Sequence, residues 1–404
     1  MDPITHGIAG SLLGKSFFGK QYGRTAIFAA TLGAVFPDVD TVADVVTQDP
    51  LAIVTYHRGI THSWFGLPFF AAALAWLTRR VGRRFGFEVP PWPILALIYG
   101  VGIASHILMD GTTSFGTRMW TPFSQRRVAW DFVFIIDLIF TSLLLAPQVA
   151  AWIYSDRRRW LSRALRMWIL FTLGAVGGWA VARAASFPFH AWIVACASVC
   201  FGLLFFLPAT FGEGAFRLRR EMWCSVGLVA ALAYVAVCAS AHHAALRQVE
   251  QFAEANHITV ERIGALPLAP SLMVWGVGIR STNGVFESQF DLRRSDQEAF
   301  TYTPDSPADL YSARALTLKS VQAFWNFSRF PTMRRSDEGS QHLVDIGENR
   351  FMNRRRGPQP FTYRVAFDDA GNPVEEGMSA DGMFLRRMKP AESSGRPRND
   401  NNQP

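Results

Sequence analysis

Apolar stretches dominate the chain to about residue 240, and each one closes on a basic cluster or a polar loop. Residues 4–18 and 25–36 are apolar but shorter than the ~20 residues that a full membrane span needs. They predict a helical hairpin that enters the bilayer only partly or is shielded by other helices. Residues 41–55 are amphipathic and predict a surface segment. Residues 64–77, 94–109, 132–154, 165–185, 191–211 and 222–239 are apolar and predict the remaining helices. Beyond about residue 257 the period changes. Residues 271–280 and 285–292 alternate around Thr282-Asn283-Gly284, a hairpin signature. A second pair of strands is expected around Asp369-Ala370-Gly371-Asn372, and one helix over residues 320–330.

The expected fold class is therefore mainly α: a polytopic helical membrane domain (1–245), a small α+β soluble domain (257–388) and a disordered tail (389–404). Composition agrees, with 50% hydrophobic and 18% charged residues. The net charge of +8 fits arginine-rich cytoplasmic loops, and no nucleic-acid partner is expected. The four cysteines lie in apolar stretches and read as small packing residues. The first residues lack the basic region and cleavage site of a leader, so none is expected to be removed.

Charge also sets the topology. With the arginines at 79–84, 157–166 and 217–220 in the cytoplasm, the helices alternate without conflict. His57, His62, His106, Asp110 and Asp131 then fall at outer helix ends. His6 and Asp38 join them if Lys15, Lys20 and Arg24 mark an inner turn. The soluble domain is expected outside the cytoplasm.

Those residues are the candidate chemistry. His6, Asp38, Asp40, His57, His62, His106 and Asp110 combine imidazole and carboxylate, a donor set suited to Zn, Mn or Fe. His106 and Asp110 stand four apart on a helix and point at one spot. Seven donors exceed one tetrahedral ion, so two or three divalent ions are expected. Asp2, Thr61, Ser63 and Asp131 are expected to support the ligands. Arg58 offers a planar fork to an anion. Asp137, inside an apolar run, is a functional candidate by position alone. Each single residue also has a plainer reading, as a helix cap, an interfacial polar group or a hydrogen bond between helices. His242 and His243 read as interfacial.

The strings Met1-Asp2-Pro3-Ile4-Thr5-His6, Phe36-Pro37-Asp38-Val39-Asp40, His57-Arg58-Gly59-Ile60-Thr61-His62-Ser63 and His106-Ile107-Leu108-Met109-Asp110 resemble the YdjM-like family of inner-membrane-associated metal-dependent hydrolases. Trp120-Thr121-Pro122-Phe123 and the stretch from Trp130-Asp131 to Ile136-Asp137 also look like that family, with Leu138 where it usually has proline. The resemblance is strong over roughly the first 150 residues. It is similar, more distantly, to zinc-dependent phospholipase C and P1-type nucleases. It implies a multi-pass inner-membrane protein whose metal ligands are His6, Asp38, His57, His62, His106 and Asp110, with Asp40 a ligand or base. The expected reaction is hydrolysis of a phosphoester, in a phospholipid or lipid-linked phosphate, at the outer interface. Asp40 or Asp137 would take the proton, and Arg58 would stabilise developing charge. A metal-stabilised scaffold or binding protein, and a transporter, are the alternatives.

Overall fold

The computed structural model describes residues 1–47, 49–184, 190–269, 271–294, 299–351, 361–380 and 383–388. The tail expected over 389–404 lies outside them. The chain is mainly helical, a membrane domain followed by an α+β region with two antiparallel sheets.

Helix α1 (Pro3–Leu13) starts at Asp2, whose carboxylate accepts from the Thr5 amide at 2.9 Å. A π turn (Gly14–Phe18) leads into α2 (Gly19–Val35), which breaks at Gly23. The two pack side by side, as the short apolar runs predicted. A 3-10 turn (Phe36–Thr41) carries Asp38 and Asp40 off the end of α2. Two short helices, α3 (Val42–Thr47) and α4 (Ala52–Thr55), and a second 3-10 turn (Ile60–His62) lead to α5 (Gly66–Phe85). The segment Ala52–His62 meets α5 at a bend of 71°. Gly66 sits at that elbow because a Cβ there would lie 2.2 Å from the Ile60 carbonyl oxygen.

Helix α6 (Trp92–Gly111) ends in His106 and Asp110. The apolar run 132–154 behaves differently from its prediction. It stays non-helical to Asp137, with bends at Val133, Ile135 and Ile136, and only α7 (Leu138–Ile153) is helical. The cause is local: Asp137 Oδ1 accepts from the amides of Ile139 and Phe140 and starts the helix there. Then follow α8 (Trp160–Ala184), α9 (Trp192–Thr210), α10 (Gly214–Arg217) and α11 (Arg220–Ala255). Among the described residues, α6, α8, α9 and α11 are long and apolar enough to cross a membrane, and the bent pair makes a fifth if taken as one broken span.

Helix α11 runs past its apolar part and lies on the first sheet. That sheet pairs β1 (Arg262–Pro267), β2 (Val274–Ser281), β3 (Gly284–Asp291) and β4 (Thr301–Pro304) in sequence order. Ala245, Val249 and Ala253 of α11 share a core with Trp275, Val277 and Ile279. The predicted hairpin is there, Ser281 facing Gly284 across a two-residue turn. Helices α12 (Leu310–Ala315) and α13 (Lys319–Phe327) follow, then a sheet of β5 (Pro331–Glu338), β6 (Gln341–Glu348), β7 (Thr362–Phe367), β8 (Pro373–Ala380) and β9 (Met383–Met388). The second predicted pair is β7 and β8. Leu51 and Val54, beside the histidine loop, are part of this second sheet's core. The α+β region is thus docked on the end of the membrane domain that carries the candidate residues.

Candidate metal centre

Four donors from three segments meet at one point. Asp38 comes from the turn after α2, His62 from the elbow before α5, and His106 and Asp110 from α6; their donor atoms all lie within 4.8 Å of one another. Each histidine is oriented from behind. His106 Nδ1–H donates to the Ala34 carbonyl at 2.6 Å. His62 Nδ1–H donates to Thr61 Oγ1 at 3.0 Å, and that hydroxyl donates to Asp40 Oδ2 at 2.8 Å. In the neutral rings both Nε2 atoms then carry lone pairs, and they face each other at 3.0 Å. Two lone pairs repel at that distance, so either a proton on one ring or a metal ion lies between them.

The remaining edges agree. Asp38 Oδ1 is 3.6 Å from His62 Nε2 and 3.5 Å from His106 Nε2. Asp110 Oδ2 is 3.4 Å and 3.5 Å from the same atoms. A tetrahedral ion with metal–nitrogen and metal–oxygen bonds of ~2.0–2.2 Å separates its ligands by about 3.4 Å. Asp38 Oδ2 and Asp110 Oδ2 are buried without a hydrogen-bond partner. Residues and spacing fit a divalent ion.

The other sequence candidates surround this group. His6 stacks on His106, ring centroids 3.6 Å apart, and its Nε2 lies 3.2 Å from Asp110 Oδ1. The Met1 nitrogen pairs with the same oxygen. Asp40 faces away from the four-donor point. Its Oδ1 accepts from His57 Nδ1 at 2.8 Å, and its Oδ2 accepts from the Arg58 amide at 2.9 Å as well as from Thr61. Burial opposes its ionisation, and hydrogen bonds from His57 and His62 hold its carboxyl low. Asp40 thus organises the histidine loop, and the His57 ring lies 5.6 Å from that of His62.

Arg58 is buried, with left-handed backbone (φ 59°). Its Nη1 donates to Thr113 Oγ1 at 3.1 Å, and its Nε forms an ion pair with Asp110 Oδ2 at 2.9 Å without hydrogen-bond alignment. The fork thus faces a carboxylate of the four-donor group. Asp137 is taken up elsewhere: besides capping α7, it accepts from the hydroxyls of Tyr234 and Ser271. Asp2 caps α1, and Ser63 Oγ accepts from the Gly66 amide at 2.9 Å. Asp131 pairs with Arg329 of the α+β region.

Sequence reasoning overlooked Thr113, Phe115, Arg118 and Arg127. Arg127 donates to the carbonyls of Val54, at 2.7 Å, and His57, at 3.4 Å. Arg118 donates to the carbonyls of Thr55 and His57. A signal existed, because arginines in a loop assigned to the outer side run against the positive-inside trend.

Residues 1–186 match the model of the family described as YdjM inner membrane protein. No curated protein and no solved structure matches the chain.

Proposed function

We propose that this protein is a metal-dependent hydrolase of a phosphoester, carried on a lipid or lipid-linked group, at the outer membrane–water interface. The observation that carries it is the facing pair of His62 and His106 Nε2 atoms, closed by Asp38 and Asp110 into a four-donor group. A divalent ion held there, Zn being the best match to the donors, would act as a Lewis acid on a phosphoryl oxygen and lower the pKa of water. His62, His106, Asp38 and Asp110 hold the ion. Asp40 and Thr61 fix the His62 tautomer, and Arg58 fixes Asp110. His57 and Asp38 are the members nearest the surface, with side chains 15% and 14% exposed, so substrate approaches from their side. His57, already bonded to a carboxylate, is the residue placed to take a proton from water. His6 and His57 are the additional donors should a second ion bind.

A lipid substrate is supported by the surroundings. An apolar cleft of about 580 Å³ lies between the start of α5 and the Pro122-Phe123 turn. Two of its lining residues, Ile60 and Trp64, flank His62, and a third, Phe70, packs on Phe36 next to Pro37-Asp38. Val39 and Val42 beside the acidic turn are exposed. A hydrocarbon chain in this cleft brings its headgroup to the metal ligands.

One observation favours a second reading. His62, His106 and Asp110 are completely buried, as in closed structural sites. A metal-stabilised scaffold would share the ligands but admit no solvent ligand. The test is elemental analysis of detergent-purified protein, wild type beside His62→Ala, followed by a phospholipid and phosphoester screen. Metal bound by the wild type and lost in the folded variant, with turnover, supports the hydrolase. Metal without turnover favours the scaffold, and metal-free wild-type protein purified without chelator overturns both.

A further inference from the structure

The family match ends at residue 186, so the α+β region needs a role of its own. Phe115 stands between the two parts of the molecule. The Arg58 guanidinium lies 4.9 Å from its ring centroid and that of Arg127 5.1 Å. The Phe327 ring, from α13, is 5.3 Å away. Arg127 lies 5.2 Å over Phe327, and Arg350 lies 4.8 Å over it. Arg58, Phe115, Arg127, Phe327 and Arg350 thus form a column of contacts in which the two rings touch, Arg127 lies over both, and Arg58 and Arg350 each lie over one, all in cation–π range. One end rests on Asp110 through Arg58. The other is anchored in the second sheet, where Arg350 pairs with Glu348 at 3.0 Å.

The column also grips backbone. Arg350 donates to the Ser114 carbonyl at 2.7 Å, across the junction between the two parts. Arg127 and Arg58 both donate to the Gly116 carbonyl. Burial, and then the nearby guanidiniums of Arg118, Arg58 and Arg350, push Arg127 down to about 9. Such crowding of like charge persists only where packing and carbonyl acceptors hold it.

We infer, on the reading of the four donors as a metal centre, that the α+β region is a working part of that centre: Phe327 and Arg350 are positioning residues that hold Phe115 and the 112–118 loop, and through them Arg58 against Asp110. Removing a partner that orients a ligand typically weakens metal binding by about 10–100-fold. Phe327 is linked to Asp110 through Phe115 and Arg58, so an effect of that size from Phe327 measures the coupling.

The test uses the full chain in detergent. Zn²⁺ affinity is measured by competition with a chelating dye, and amide exchange of residues 57–62 and 112–118 is followed in metal-free protein. Phe327→Ala is expected to weaken Zn²⁺ about tenfold or more and to speed exchange in both segments. Phe327→Tyr keeps the ring and should restore both. Phe290→Ala, an equal truncation in the core of the first sheet, should change neither. Unchanged affinity and exchange in Phe327→Ala, or an equal loss in Phe290→Ala, overturns the inference. Should Phe327→Ala fail to fold, Arg350→Gln, which keeps the ring but removes the guanidinium, is read in the same way. Wild-type protein that binds no Zn²⁺ would sink the metal reading; the exchange arm then decides alone whether the column holds the loop.

Discussion

Asp40 and Asp137 are both carboxylates near apolar helix ends, and their surroundings give them different work. Asp40 collects three groups of the histidine loop and transmits its position to His62 through Thr61. Asp137 caps α7 and ties it to α11 through Tyr234. An Asp137→Ala change loses the cap, about 1 kcal/mol, and strands a buried tyrosine hydroxyl, about 1–3 kcal/mol. The expected outcome is a lower unfolding temperature in detergent with metal content unchanged, read by thermal unfolding and elemental analysis on the same preparation. Loss of metal at unchanged stability would instead place Asp137 in the chemistry. The sequence marked both residues as candidates, because an acidic side chain beside an apolar run needs a partner. It could not tell a cap from a support, because Asp40 and its partners Thr61 and His62 are brought together only by the fold.

Among the elements, the contact of α2 with α6 matters most for the site. Gly102 lets the helices touch: a Cβ there would fall 2.5 Å from the Ala30 carbonyl oxygen and 2.8 Å from the Ala34 amide nitrogen. Ala34 is also the residue whose carbonyl orients His106. Small residues at such crossings allow the dense packing that joins helices in a bilayer. A Gly102→Val change should cost about 1–3 kcal/mol through overpacking. It should also weaken metal binding, because α2 must move away and takes the His106 acceptor with it. Thermal unfolding and dye competition check the two effects, and unaltered affinity in a destabilised protein would show that His106 keeps its orientation without Ala34. The i,i+4 spacing of His106 and Asp110 was readable from the helix period, and the pair does converge, 3.5 Å apart. The non-helical stretch before Asp137 was not, since an apolar run has the same composition whether or not it is helical.

For the whole molecule, docking and topology are one question. Arg329 pairs with Asp131, Arg350 holds Ser114, and Leu51 and Val54 enter the core of the second sheet. The α+β region therefore lies on the same side of the membrane as the candidate metal centre. The expectation drawn from the arginine pattern, that this side lies outside the cytoplasm, has a direct test. In a cysteine-free background, Ser340→Cys at the exposed β5–β6 turn should react with a membrane-impermeant maleimide in intact cells, whereas Arg158→Cys should react only after lysis. The reverse pattern would turn the protein over and move the site to the cytoplasmic side.

The amino-acid sequence by itself determined the apolar helices, the two predicted strand pairs and the residue types that gather at helix ends. These follow from local rules: hydrophobic period, turn chemistry and the expense of polar groups beside lipid. Only the tertiary structure decided which donors meet. Asp38, His62 and the α6 pair belong to separate segments, and their convergence depends on a close helix crossing, a 71° elbow and a neighbouring region packed behind the loop. Local periodicity carries no information on distances between segments, whereas a metal site is defined by such distances alone.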